Sequence, residues 1–256
     1  MTSVPNKFIY KLYEKKLSSE IKNQPIPNHI AIILDGNRRG SEKLGLEYEE
    51  GYHLGAKKLE EVLDWCWELG VKIITCWVFS TDNFSRPEDQ VKSIMKLAKE
   101  YLQKFREDKR VHKNKIQLKV LGRTNMLPTE VQEEIKKTEK ATENYDNFKF
   151  NLCMAYGGRA EIVDALKEII IKAKNNEIKI EEVDEDLIAS HLYTVGNPDP
   201  DLIIRSSGEE RLSGFLLWQA AYSEYYFADV YWPLFRKIDL WRAIRTFQGR
   251  KRRYGK

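Results

Sequence analysis

No stretch of this chain approaches the roughly 20 apolar residues that cross a bilayer. Its first thirty residues alternate lysines with apolar residues and lack the apolar core of a secretion signal. The expectation is a protein neither secreted nor membrane-spanning. Cysteine is scarce: Cys66, Cys76 and Cys153 stand far apart, form no CxxC pair and fall in apolar stretches, where a thiol behaves as a small hydrophobe. A reducing cytoplasm fits that usage. An excess of one charge is lacking too. The 43 basic residues face 39 acidic ones, for a net charge of +4 spread among many opposite charges, so bulk charge names no partner. Internal repeats, low-complexity tracts and domain linkers are absent. So are the familiar nucleotide motifs: there is no GxxxxGKS or GxxxxGKT loop and no GxGxxG after a strand, which disfavours kinases and dinucleotide enzymes.

What is present suits one large α/β domain, since 256 residues of 42% hydrophobic content can bury a sizeable core. Short β-rich runs at 30–34, 71–79, 116–121, 148–156 and 202–204 alternate with helical patterns, which predicts βα units and a mainly parallel central sheet flanked by helices. Helical spacing of apolar residues marks 51–69 and 91–105, Pro128 opens a further helix, and 158–173 and 238–247 supply two more. The charged stretch 175–186 reads as a surface excursion. Its cluster Asp184, Glu185 and Asp186 reads as the acidic start of a short helix. Trp65, Trp67 and Trp77 are expected in the core. Residues 1–27 form an N-terminal helical segment and 28–256 the main domain. In that segment Phe8, Ile9, Leu12 and Tyr13 share a helical face beside lysines, a pattern that fits packing on the domain or, as an alternative, a peripheral membrane contact.

The polar chemistry collects after the predicted strands, where open α/β sheets bind their ligands. Strand one runs into Asp35, Gly36, Asn37, Arg38, Arg39 and Gly40, and strand two into Ser80, Thr81, Asp82, Asn83, Phe84, Ser85 and Arg86. Strand four runs into Gly157, Gly158 and Arg159, and strand five into the stretch from Arg205 to Arg211. Each end pairs glycine or small hydroxyl residues with arginine. Glycine lets a backbone approach a phosphate, the free amides of a following helix start accept its charge, and the guanidinium fork matches its oxygens. An anionic, phosphate-rich ligand follows. Asp35 among these arginines is either a salt-bridge partner or a holder of a divalent cation against phosphate. The run Tyr156, Gly157 and Gly158 also fits a tight strand-to-helix turn with no ligand role.

The runs HIAIILDGNRR at 29–39, FSTDNFSRP at 79–87, AYGGR at 155–159 and DLIIRSSGEERLSGFLLWQAAYSEYYF at 201–227 resemble cis-prenyltransferases, in family order and at family spacing, over nearly the entire chain. No DDxxD cluster of the all-helical trans-prenyl synthases is present. The resemblance implies an α/β fold enclosing a hydrophobic tunnel, a homodimer and Mg2+ as the metal. It implies that isopentenyl diphosphate is condensed repeatedly onto an allylic diphosphate, farnesyl or geranylgeranyl, to give a long polycis-polyprenyl diphosphate for a glycosyl-carrier lipid. By that likeness Asp35 would bind Mg2+ and assist departure of the allylic diphosphate, which Gly36, Asn37, Arg38 and Arg39 would cradle, with Arg86 adding charge nearby. Asn83, with Ser80, Thr81 and Asp82 before it and Phe84 after it, would lie at the reacting carbons. Arg205, Arg211, Leu212 and Ser213 would hold isopentenyl diphosphate, and Glu224 matches a second carboxylate near the metal. In the tail RKRRYGK, Arg253 and Gly255 match an Arg-x-Gly that reaches into a site, and the proposed homodimer has that tail completing the site of the other copy.

The chain departs from the family pattern at four places. Gly40 stands where an aromatic is usual, Tyr48 and Tyr52 align with an arginine and a histidine of the substrate site, with His53 adjacent, and Glu210 stands where histidine is common. The aromatics Trp218, Tyr222, Tyr225, Tyr226 and Phe227 read as a buried or association surface. Two other classes compete with the enzyme: a noncatalytic subunit, which should lack the aspartate or the strand-end arginines, and an RNA-binding protein using the basic tail and exposed aromatics. The inventory disfavours both, and no nucleic-acid partner is expected.

Overall fold

The computed structural model describes residues 7–250, and of residues 7 and 8 the backbone alone. In chain order the elements are α1 (Lys7–Lys22), β1 (His29–Ile33), α2 (Asn37–Leu44), α3 (Tyr48–Leu69), β2 (Ile73–Ser80), α4 (Glu88–Glu107), α5 (Lys109–Lys113), β3 (Ile116–Leu121), α6 (Thr129–Thr142), β4 (Phe148–Tyr156), α7 (Gly158–Lys174), α8 (Glu185–Ala189), β5 (Leu202–Arg205), β6 (Glu224–Phe227) and α9 (Lys237–Gln248). The six strands hydrogen-bond in the order β3-β4-β2-β1-β5-β6. The pairs β1 with β5, β5 with β6 and β3 with β4 are parallel. The α/β class and the parallel sheet are as expected. The five foreseen strands all form, β3 and β4 with the expected limits. Contacts within the chain fall into two compact units, one from Met1–Ile74, Pro200–Glu210 and Tyr222–Lys256, the other from Thr75–Asp199 and Arg211–Ala221.

In the first unit β1 reads HIAII and is buried at all five residues, the continuous apolar run of a strand covered on both faces. Its register with β5 sets Ile33 beside Arg205, and β5 in turn sets Arg205 beside Phe227. Helix α3 is held at its start by a reciprocal Glu47–Glu50 capping box and stopped by Gly70 at φ 87°. The largest fully buried side chain is Trp232, whose indole N–H donates to the Gly55 carbonyl at 2.8 Å. Gly55 is a glycine because an added Cβ would stand 2.1 Å from Asn37 Oδ1.

Helix α1 packs on α9 and buries Leu17 and Ile21 completely. Tyr13 accepts a hydrogen bond from Arg242 at 3.3 Å with the guanidinium over its ring. The N-terminal helix is therefore part of this unit through its second half, whereas Ile9 and Leu12 on its first half are 61% and 52% exposed. No helix among the described residues is long and apolar enough to cross a membrane.

The second unit holds β3 and β4 in a six-residue parallel register, with α6 and α4 packed together beside them. Acidic Glu88 and Asp89 open α4 and basic Lys104 and Arg106 close it, complementing the helix dipole. Asp184 caps α8 by accepting from the Leu187 amide at 2.8 Å, as its place before an apolar helix suggested. The three cysteines are fully buried and form no disulfide, and burial pushes the Cys66 thiol up to about 12. Trp65, Trp67 and Trp77 are only half-buried, a correction to their expected place in the core.

Three elements were not foreseen. Residues 37–44 carried no helical reading and form α2, Lys109–Lys113 form the short α5, and β6 lies within the aromatic stretch from Trp218 to Phe227, where no strand was expected. Gly55→Ala is expected to destabilise the protein by about 1–3 kcal/mol, because the methyl meets the Asn37 amide. Gly249→Ala should change stability by less than about 0.5 kcal/mol, since its Cβ would come no closer than 3.6 Å to any neighbour. Urea unfolding of the two variants checks the contrast.

Candidate active site

In the first unit Asp35 follows β1 and Gly36 turns the chain into α2. Gly36 sits at φ 90°, and an added Cβ would be 2.8 Å from the Tyr231 ring and 3.1 Å from Ser207 Cβ, so both conformation and close approach require glycine. Its successors Asn37, Arg38 and Arg39 are the first residues of α2, whose amides have no acceptor within the helix and make an anion-binding end.

The Asp35 carboxylate is held from two sides. Arg205 donates to Oδ2 through its NH2 group at 2.7 Å and its Nε at 3.3 Å. Arg39 donates to Oδ1 at 3.3 Å, and the same guanidinium reaches Glu209 at 2.9 Å and Ser207 Oγ at 3.1 Å. The ring of Tyr231 lies 5.4 Å from it. Ser206 Oγ and the Trp232 amide both donate to the Asp35 carbonyl, at 2.7 and 3.0 Å. Burial pushes the Asp35 carboxyl up, but hydrogen bonds from Arg205 and Ser207 and the charges of Arg205 and Arg39 outweigh it and hold the group below 3.8. Arg205 itself is 5% exposed.

The other cradle residues differ. Arg38 is exposed and pairs only loosely with Glu42, at 3.8 Å. Asn37 turns its amide back to the Leu34 carbonyl at 3.0 Å, so it shapes the turn. The aromatic usual at position 40 has no room here, since a Cβ on Gly40 would already be 3.0 Å from Pro233 and 3.1 Å from Tyr231. Tyr48 and Tyr52 meet edge to face at 6.3 Å on the first turns of α3, while His53 beside them is exposed. Glu224 is not brought to Asp35 within one chain. It is level with Leu202 and Ile30, at the opposite end of the strands from Arg205, roughly 10 Å of strand away. Instead it accepts from Arg250 at 2.7 Å. The physical reason is the parallel register, which places the start of β6 at the far edge from the strand ends. Among the described residues no three acidic, histidine or cysteine side chains converge to hold a metal.

In the second unit β2 ends in a 3-10 turn over Thr81–Ser85. Ser80 Oγ accepts from the Asn83 amide at 3.2 Å, and Asn83 Oδ1 accepts from the Ser80 amide at 3.0 Å. Asn83 thus uses its carbonyl oxygen to fix the turn. Phe84 packs edge-on against Phe79 at 4.9 Å, Thr81 is half-buried, and Asp82 and Arg86 are exposed. Of the last group, Arg211 and Ser213 are exposed and Leu212 half-buried, with Ser213 at φ 53°. Glu210 is exposed in the first unit. Arg253 and Gly255 lie outside the described residues.

Ser207, Glu209 and Tyr231 had no assigned role from sequence. The first two stood in a recognised strand-end run, whereas Tyr231 carried no local signal.

A family model described as "Putative undecaprenyl diphosphate synthase" matches residues 33–255. The chain is 49% identical over 248 residues to a tritrans,polycis-undecaprenyl-diphosphate synthase (geranylgeranyl-diphosphate specific) of Methanopyrus kandleri, covering 97% of this chain and 92% of that one. It is 49% identical over 252 residues to an isoprenyl transferase of Thermus thermophilus, covering 97% and 96%. Among solved structures it resembles lavandulyl diphosphate synthase of Lavandula x intermedia in complex with dimethylallyl diphosphate, with a TM-score of 0.85 and 32% identity over 93% of this chain and 100% of that one.

Asp35→Asn keeps the shape and removes the charge. A carboxyl whose pKa is lowered by folding stabilises the protein above its unfolded pKa, and that stability is lost as pH falls through the folded value. The variant should therefore be less stable than the parent by roughly 1–3 kcal/mol at pH 7, and the gap should narrow below pH 3.8, the ordinary value from which Asp35 is lowered. Urea unfolding of both proteins between pH 7 and pH 3 measures it, and a gap independent of pH would contradict the assigned electrostatics.

Proposed function

The chain belongs to the undecaprenyl diphosphate synthase family of prenyltransferases, and from that premise we propose that it condenses isopentenyl diphosphate repeatedly onto geranylgeranyl diphosphate to make a long polycis-polyprenyl diphosphate. The observation that carries the reading is the Asp35 carboxylate bracketed by Arg39 and Arg205 at the head of glycine-started α2. The name of the Methanopyrus relative supports geranylgeranyl over farnesyl diphosphate as the starter. A glycosyl-carrier lipid is the use that such a product suits.

In this reading the α2 amides, Arg39 and Arg38 hold the allylic diphosphate. Breaking the allylic carbon–oxygen bond leaves negative charge on the diphosphate, which fixed guanidinium groups stabilise as it develops. The allylic cation is shielded from water by an apolar wall, in keeping with the hydrophobic tunnel expected of the family. The double bond of isopentenyl diphosphate then attacks and a proton leaves. Arg205, Arg211, Leu212 and Ser213 are the residues we assign to that second diphosphate, with Arg86, Asp82, Thr81, Ser80 and Phe84 flanking Asn83 near the reacting carbons. Asn83 serves by position, since an amide is a poor base.

Around Asp35 two guanidinium groups, Arg39 and Arg205, face two carboxylates, Asp35 and Glu209. That balanced set has little positive charge to spare for a diphosphate, which suits recruitment of a divalent cation with the substrate. One protein carboxylate plus substrate phosphates is the donor set Mg2+ prefers. Asp35 would hold Mg2+ there, and the metal would neutralise charge on the departing diphosphate.

Incubation with isopentenyl and geranylgeranyl diphosphates and Mg2+ should yield a ladder of extended products when the lipid is sized, and no extension would refute the reading. Asp35→Ala should lower kcat by on the order of a thousandfold or more while the chain stays folded. Farnesyl diphosphate extended with higher kcat/KM than geranylgeranyl diphosphate would overturn the starter assignment.

We also propose a homodimer, because one chain carries both the Asp35 motif and the tail Arg253, Tyr254 and Gly255. If the tail acts across the interface, mixing Asp35→Ala with a chain shortened by its last four residues should restore about one working site per mixed dimer. Verified mixed dimers without activity, or a monomer by light scattering, would refute it.

A further inference from the structure

The stretch from Arg211 to Ala221 belongs to the second unit and has no helix or strand of its own. Its backbone takes positive φ at Ser213 (53°), Gly214 (93°) and Leu216 (44°), and two of these are residues with a Cβ. Such conformations persist only when surrounding contacts over-determine them. Phe215 supplies one contact, fully buried and stacked on Trp77 at 5.3 Å with an interplanar angle of 7°. The Gly158 amide supplies another, donating to the Gly214 carbonyl at 2.7 Å.

The third is polar and buried. Gln219 is 2% exposed, and its amide donates to Thr194 Oγ1 at 2.8 Å and to Glu161 Oε1 at 3.2 Å. Glu161, 1% exposed on the first turn of α7, also takes the Tyr156 hydroxyl at 2.5 Å and the Tyr193 amide at 2.9 Å. One carboxylate thus ties the end of β4, the start of α7, the stretch after α8 and the 211–221 stretch together. Burial pushes the Glu161 carboxyl up, and the hydrogen bonds only partly offset this. Neither residue lies among the strand-end groups to which chemistry was assigned.

From this arrangement we infer that Gln219, acting through Glu161 and Thr194, is a positioning residue that sets Arg211 and Ser213 for isopentenyl diphosphate. The inference rests on the proposed assignment of those two residues. Its logic is leverage. Within the segment only isolated turn bonds, such as Phe215 N–H to Leu212 C=O and Ala220 N–H to Leu216 C=O, hold the backbone, with no helix or strand ladder, so deleting a buried anchor inside it shifts the exposed part that binds ligand more than it shifts the core. An aligned guanidinium and hydroxyl bind the diphosphate of the second substrate, and the allylic substrate does not depend on them.

The test uses Gln219→Met, which keeps the volume and removes the donor, and Thr194→Val, which removes one acceptor and leaves Glu161 intact. In the full chain with geranylgeranyl diphosphate as starter, Gln219→Met, which removes both hydrogen bonds donated by the buried amide, should raise KM for isopentenyl diphosphate by on the order of tenfold. Its kcat and its KM for the allylic substrate should change less than about twofold. Thr194→Val should move the same constant in the same direction by less. A structural role alone lowers the melting temperature and the active fraction and leaves KM unchanged, and that outcome would overturn the inference. Hydrogen exchange without any substrate reads the brace independently. Amides of 211–216 should exchange faster in Gln219→Met, with protection in β3 and β4 kept. Parental protection in that stretch would discard the brace. A parent enzyme that extends nothing while the exchange difference appears would refute the proposed function and retain the brace.

Discussion

A guanidinium placed out of water at the end of a central strand needs a counter-charge, and Arg205 has one in Asp35. Breaking a fully buried pair costs about 3–5 kcal/mol; with the Asp35 side chain 25% exposed the cost here is nearer the roughly 1–3 kcal/mol expected of Asp35→Asn, still more than an exposed pair such as Arg38 and Glu42 contributes. The pairing depends on the parallel register of β1 and β5, which brings Ile33 beside Arg205 so that Asp35, two residues on, meets its side chain. Once Asp35 is held there, the chain must reverse at once to leave the sheet, and only a left-handed Gly36 does so against Ser207 and Tyr231. Helix α2 starts where it does for that reason, with its free amides beside the charge cluster.

The same cluster explains why one departure from the family pattern causes no disruption. At Gly40 the volume an aromatic ring would occupy belongs to Tyr231 and Pro233. The remaining substitutions, Tyr48, Tyr52 and Glu210, lie at exposed or half-buried positions, where a change of side chain disturbs the packing less than it would in the core.

Much of this was legible in the chain. Parallel strands betray themselves as uninterrupted apolar runs, as HIAII does, and the polar residues that follow them are a ready inventory of ligand-facing groups. That reasoning reached Asp35, Arg39 and Arg205 from residue type and position. It did not reach α2, because NRRGSEKL has almost no apolar periodicity and its helix rests on α3 and on the turn before Phe235. It missed β6 because EYYF is half-buried at every position and aromatic at its last three, without the alternation that marks a strand. The separation of Glu224 from Asp35 within one chain has the same origin: a motif records that both residues are present, whereas the register decides which end of the sheet each occupies. Gln219 was invisible for a different reason, since nothing local distinguishes a buried glutamine that anchors a loop from one that merely fills space.

The order in which the ribosome delivers these pieces bears on how the molecule forms. Strand β1 appears early, yet its partner β5 comes late, and the amide of His29 bonds to Asp201, 172 residues downstream. A nascent chain that stops before Pro200 has β1 with no neighbour on that side and Asp35 with no arginine from β5. The second unit, by contrast, has nearly all of its chain by Asp199. Synthesis therefore hands the cell a half-built catalyst whose later-completed half exposes an open apolar edge until the final quarter arrives, and the pairing that covers it must close a long loop at an entropic cost. Exposure of that edge during the interval is a property of the topology, independent of how stable the finished enzyme becomes.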